Sequence, residues 1–214
     1  HTIFKCDWSS DVCSSDLYIT YGEIRRLKIL EEVFDQIYNS GRFPATLKWM
    51  ETQFPDAFSL YEAMARFWEG RDLHLMSHGS KALFRYLAEF CQIVCPTAME
   101  VCLEFLKFDA LRLDSGNTRP EFLPWDGEEE AESKTAFWRD TERVQRYIPG
   151  FAFTNWRDLK KHYQIETFSF DIPRYLAGER GLSRKPTVVL FRYMEASAAE
   201  YQAVAADDFR QGGQ

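Results

Sequence analysis

Apolar residues recur every three or four positions along most of this chain. Ile24, Leu27, Leu30, Val33, Phe34, Ile37 and Tyr38 follow that spacing, with Glu31, Glu32, Asp35 and Gln36 between them. This pattern predicts an amphipathic helix. Thr20 and Glu23 form a capping box before it, the hydroxyl serving the third helical amide and the carboxylate reaching back. Asn39, Ser40 and Gly41 stop it. Pro44 opens a second helix carrying Leu47 and Met50. Asp56 caps a third, with Leu60, Tyr61, Met64 and Trp68 inward and Gly70 at its end. A fourth is predicted over residues 80–94, with Leu83, Leu87, Phe90, Cys91 and Val94 on one stripe. Pro96 separates it from a fifth through Met99, Cys102, Phe105, Leu106 and Leu113. Connections this short suit antiparallel neighbours.

Residues 115–132 break the period. They hold Gly116, Pro120, Pro124 and Gly127 and the acidic run Glu128, Glu129, Glu130, and read as a surface loop or hinge that Phe122, Leu123 and Trp125 pin to the core. A sixth helix is predicted over 133–147 and a seventh over 156–163, capped by Thr154 or Asn155. The period then becomes two. Residues 165–172 and 187–193 are rich in β-branched and aromatic side chains and predict two paired, antiparallel strands. Phe168, Phe170 and Ile172 form one apolar row, and Val189, Phe191 and Tyr193 a matching one. From Ala196 the chain reads as frayed helix or disorder. The expected fold is mainly α: an antiparallel helical bundle over residues 18–195 with a C-terminal two-stranded β ribbon, followed by a flexible tail over 196–214.

Composition narrows the function classes. The 214 residues carry a net charge of −7, and no basic stripe interrupts the helices, which argues against nucleic acid as a partner. No apolar run approaches the roughly 18–20 residues of a membrane helix, so no membrane partner is expected. Five scattered cysteines do not make a disulfide framework, and a reducing cytoplasm is the expected compartment. Aromatics reach 16%. So much ring area points to a bulky core or a covered interface.

The start differs from the rest. Residues 1–17 show no periodicity, and the run from Asp7 to Leu17, DWSSDVCSSDL, resembles the in-frame translation of a sequencing-library adapter of the kind found at the edges of metagenomic reading frames. On that reading the segment is a passenger, its Cys6 and Cys13 are no metal or redox pair, and the authentic chain begins mid-protein near Tyr18. Without Lys5, Asp7, Asp11 and Asp16 the charge moves from −7 to −5, so the remainder stays acidic.

Candidate chemistry is sparse. Cys91, Cys95 and Cys102 have gaps of four and seven positions, and only the first suits a three-thiolate loop for an iron–sulfur cluster. Small buried hydrophobes explain them better. His74 and His78 are four apart, the spacing of a helical zinc pair. Leu75, Met76 and Ser77 between them supply neither a third ligand nor a base, so a structural or solvated pair is expected. His162 follows Lys160 and Lys161 and reads as exposed. Gly178 and Gly181 complete no phosphate loop, and the run Glu128–Glu130 reads as a solvated acidic loop. No catalytic, cofactor-binding or metal-binding residue is assigned.

Residues 21–47, YGEIRRLKILEEVFDQIYNSGRFPATL, form a familiar unit. With Phe58, Tyr61, the run LFRYLAEF (83–90), LEFLKFDALRLD (103–114), Phe170-Asp171 and Phe191-Arg192-Tyr193, they resemble the uncharacterised C-terminal domain that follows the barrel in cobalamin-binding radical S-adenosylmethionine proteins. The resemblance implies a parent enzyme with an iron–sulfur cluster, S-adenosylmethionine and cobalamin. Neither its three-cysteine loop nor an Asp-x-His-x-x-Gly motif occurs here, so only an accessory role transfers, with the missing barrel of the same chain as partner. A helical protein–protein interaction scaffold and a zinc enzyme built on His74 and His78 are the alternatives. A domain severed from a barrel should expose aromatic surface, and Phe122, Trp125, Phe151, Phe153 and Trp156 are the expected contributors.

Overall fold

Local capping chemistry sets most of the helix starts. In α1 (Tyr21–Val33) the capping box forms: the Glu23 amide donates to the Thr20 hydroxyl at 3.3 Å and the Thr20 amide to the Glu23 carboxylate at 2.7 Å. Asp56 caps α3 (Ala57–Gly70), accepting from the Ser59 amide at 2.7 Å, and Asn155 caps α8 (Trp156–His162) through Asp158. Pro44 starts α2 (Pro44–Met50), whose missing N–H costs nothing in a first turn. α4 (Ser80–Val94) turns through a short 3₁₀ segment, Pro96–Ala98, into α5 (Met99–Leu113). The computed structural model describes residues 19–114, 119–194 and 198–210. The adapter-like stretch lies outside the described residues.

Four expectations change. α1 runs on into a π-helical turn, Phe34–Tyr38, closed by the Asn39 amide on the Phe34 carbonyl at 2.8 Å. Its buried positions are Ile29, Val33 and Ile37, whereas Ile24 and Leu27 are exposed. Around those first turns α3 engages α1 through surface ion pairs, Arg25–Glu69 and Arg26–Glu62. Second, the acidic run is the first turn of α6 (Glu128–Arg139); carboxylates suit the positive end of a helix dipole. Asp140 then breaks the predicted sixth helix, because its side chain caps a separate α7 (Thr141–Gln145) through the Arg143 amide at 3.0 Å.

Third, the first strand is β1 (Tyr163–Phe168), shorter and earlier than its pattern. Asp171 and Pro173 turn the following residues into α9 (Ile172–Leu176). Fourth, β1 pairs antiparallel with β2 (Thr187–Arg192), as expected, but β2 also pairs with β3 (Glu200–Val204). The sheet is three-stranded, order β1-β2-β3, not a ribbon. Where the sequence reads as tail, β3 and α10 (Ala206–Arg210) are built in, with Phe209 buried.

Helices cover both faces of this sheet. Phe168, Val189 and Phe191 join the core of α1–α5. Ile165, Val188, Leu190 and Val204 face a second core with Phe137, Trp138, Val144, Ile148 and Phe151. A central strand covered on both sides needs apolar residues at successive positions, and Val188 to Phe191 supply them. The fold is mainly helical around a small antiparallel sheet.

Candidate functional site

α5 is buried on almost every side, yet it carries Glu104, Lys107 and Asp109. Charges in such a place persist only when paired. Lys107 is 1% exposed, and its ammonium donates to Asp126 at 3.0 Å and to the Thr167 carbonyl at 2.7 Å. Asp126 follows Trp125 in the loop before α6, accepts from the Thr167 amide at 2.8 Å and forms an ion pair with Lys134 of α6 at 3.0 Å. Glu166 of β1, also 1% exposed, accepts from Lys134 at 2.9 Å and from the Asp126 amide at 3.0 Å. Lys107 at 3.7 Å and Arg119 at 3.6 Å complete its surroundings. Burial alone would push Asp126 up. The ammonium groups of Lys107 and Lys134 outweigh it and hold the carboxyl below its ordinary value. Glu104 moves the other way, burial raising it against Lys107.

This network staples α5, the loop, α6 and β1 together, and a groove of about 490 Å³ opens beside it between α6, α8 and β1. Trp138, Trp156, Leu159 and Tyr163 form its apolar walls, and Arg119, Lys134, Lys160 and Glu166 supply its charges. Trp138 is fixed by Phe137, Phe151 and Tyr163, and Trp156 stands edge-on to Phe153 at 4.9 Å. Arg119 lies over the Trp125 ring at 4.1 Å, and the Trp125 indole donates to the Pro120 carbonyl at 2.8 Å. Both carboxylates of the network are saturated with donors.

A family model for a protein of unknown function (DUF4080) matches residues 11–191. The chain belongs to that family. The match opens at Asp11, so it overlaps the adapter-like run over residues 11–17, which lie outside the described residues. No curated protein and no solved structure matches this DUF4080 chain.

The residues singled out from sequence fall elsewhere. Cys91 and Cys102 are fully buried where α4 meets α5, and Cys95 at their turn is partly exposed. The interaction of the two thiols draws Cys91 below the usual thiol range, while the same interaction and burial raise Cys102. Thiols turned on each other inside a helical hairpin present no three-point face for an iron–sulfur cluster. Among the described residues no group of three or more His, Cys, Asp and Glu side chains can hold a metal ion. His78 donates to the Leu73 carbonyl at 2.8 Å and packs edge-on to Trp68 and Tyr86, and His74 lies on a 3₁₀ turn, not a shared helix face.

The expected aromatic surface is also redistributed. Phe122 and Trp156 are exposed, Trp125 and Phe153 are half-buried, and Phe151 is in the second core. Further exposed apolar residues gather at the start of α1. Ile19, Tyr21, Ile24 and Leu27 are 59%, 84%, 43% and 55% exposed. Tyr21, Ile24 and Leu27 stand three residues apart, a ridge that winds toward the half-buried Leu30. Sequence reasoning missed Lys107, Asp126, Lys134 and Glu166 altogether. The available signal was α5 itself, where Glu104, Lys107 and Asp109 interrupt an otherwise apolar helix that leaves no polar face for them.

Proposed function

We propose that this chain is the non-catalytic C-terminal accessory domain of a cobalamin-binding radical S-adenosylmethionine enzyme, and that α1 docks on the catalytic barrel. The observation that carries the reading is the α1 ridge: Tyr21, Ile24 and Leu27 are exposed together on a helix that a capping box starts, with the exposed Ile19 just before the cap. Isolated apolar residues are common on surfaces, but a contiguous row marks a contact site. The ridge lies in the same residues, 21–47, that carry the resemblance to that domain. The cofactors belong to the parent enzyme, and no step of its chemistry is assigned to a residue here.

The decisive experiment recovers the gene from uncontaminated DNA. The reading requires an upstream frame encoding a three-cysteine loop, continuous with Tyr18; a gene without it refutes the reading and leaves a helical interaction scaffold. In the full-length protein, hydrogen exchange at residues 21–30 should slow relative to this chain alone, and Leu27→Glu should abolish the protection without unfolding α3.

A further inference from the structure

We infer that the groove between α6, α8 and β1 is a binding site for a small anion carried on a flat aromatic ring. The inference does not rest on the parentage of the chain. Its volume of about 490 Å³ falls in the range of small-molecule sites, roughly 300–1,000 Å³. Its shape is set before any ligand arrives, because Trp138 is wedged among three aromatic neighbours and Trp156 is held by Phe153. Preformed aromatic walls favour flat apolar bodies at low entropic cost.

Charge selects the rest of the ligand. Three cations and one carboxylate line the groove: Arg119, Lys134 and Lys160 against Glu166, an excess of two positive charges (3 − 1). Behind them Lys107 and Asp126 pair with each other. Glu166 has nothing left to offer a cationic ligand, since the Asp126 amide, Lys134, Lys107 and Arg119 already surround it. Lys134 is likewise committed to two carboxylates. Lys160 is different. It is exposed at the rim and engages no carboxylate among the described residues, and the Arg119 guanidinium, held over Trp125 and 3.6 Å from Glu166, leaves 40% of its side chain exposed. A carboxylate or phosphate on the Lys160 ammonium, beside Arg119 and with its ring against Trp156, meets an uncommitted cation and an exposed apolar wall together.

The test uses the full 214-residue chain and three probes that share one ring: 2-naphthoate, 2-naphthyl phosphate and neutral 2-naphthamide, with binding read from tryptophan quenching and from two-dimensional NMR. Saturable binding of at least one anionic probe in the micromolar to low-millimolar range is expected, with the naphthamide about tenfold weaker, the loss expected for one charge-assisted hydrogen bond. Lys160→Ala and Arg119→Ala should each weaken anion binding about five- to tenfold, and Trp156→Phe should remove most of the quenching. Lys160 and Arg119 are at the surface, so circular dichroism of these variants should match wild type. Which anion binds tighter distinguishes carboxylate from phosphate. Absence of saturation to about 5 mM, equal binding of the amide, or unchanged binding in the Lys160 and Arg119 variants overturns the inference.

Discussion

Asp109 caps a helix to which it does not belong: its Oδ2 accepts from both the amide, at 2.8 Å, and the hydroxyl, at 2.7 Å, of Thr46 in α2. Its other oxygen accepts from the Ala45 amide at 3.1 Å. The residue that precedes α2, Phe43, has no side-chain acceptor, so a carboxylate borrowed from α5 serves the buried first-turn amides. Burial pushes this carboxyl up to about 7, against the Thr46 hydroxyl, the two amides and Arg112, which all favour the ionised form. The sign follows. A raised folded value means that Asp109 contributes most below its unfolded value near 3.8 and loses that contribution as pH rises through about 7. The stability difference between wild type and Asp109→Asn, which does not titrate, should therefore shift against wild type by about a few kcal/mol between pH 4 and pH 8 in urea melts. Asp109→Ala should cost about 3 kcal/mol or more at pH 4, because it leaves three buried donors without their acceptor.

Lys107 should behave as a keystone. Lys107→Met leaves Asp126 and Glu166 buried with one ammonium fewer, and should destabilise the chain by about 3–5 kcal/mol. The double variant Lys107→Met, Asp126→Asn should recover part of that loss, which a double-mutant cycle in guanidinium measures as coupling. The pH sign is opposite to that of Asp109. Asp126 is held below its ordinary value, so its contribution is present above the ordinary carboxylate range and lost as pH falls through it. Strict additivity of the two substitutions would show that the pair is not coupled.

Ending the chain after Met194 should be severe. It removes β3, baring the backbone edge of β2, and it removes Phe209 from the second core. It also deletes Asp208, which accepts from Arg146 at 2.6 Å and from the Tyr147 hydroxyl at 2.6 Å. An exposed apolar edge strand invites aggregation, so light scattering and loss of a cooperative melt are the expected readouts. Tyr147→Phe, which removes only the hydroxyl shared with Asp208 and the Ala205 amide, should cost about 1–2 kcal/mol.

The three cysteines of the α4–α5 hairpin should label in a fixed order. Cys95 is partly exposed while Cys91 and Cys102 are closed in the core. Iodoacetamide on the native protein should modify Cys95 alone of the three, with Cys91 and Cys102 reacting only after denaturation, as read by peptide mass mapping. Native labelling of Cys102 at the rate of Cys95 would contradict the packing of this hairpin.

The helices with their caps were legible in the chain because caps and amphipathic stripes are local: Thr20 with Glu23, Asp56 with Ser59 and Asn155 with Asp158 each act over three residues. The β1–β2 pairing was legible for the same reason, since alternation is read within one strand. Of the candidate site, Trp156 stood out in sequence as an aromatic expected to be exposed and Lys160 only as a neighbour of His162. The Lys107, Asp126 and Glu166 cluster was invisible, because its members lie 19 and 40 residues apart and each alone looks like a solvated charge.

Three things were decided by tertiary structure alone. Ile24 and Leu27 fit the helical stripe by sequence, but whether a stripe is covered depends on a partner arriving over it, and beside those turns α3 meets α1 through the Arg25–Glu69 and Arg26–Glu62 ion pairs. β3 is mostly exposed, with an eroded alternation, so it carries little hydrophobic signal of its own; it is a strand because β2 offers it a free edge of amides and carbonyls. Asp109 and Lys107 owe their roles to burial, which a sequence does not display: α5 runs through the centre of the molecule, and there every charge must find a partner across the chain. What the sequence determined is the set of contacts within about four residues; what the fold decided is which of the remaining surfaces meet.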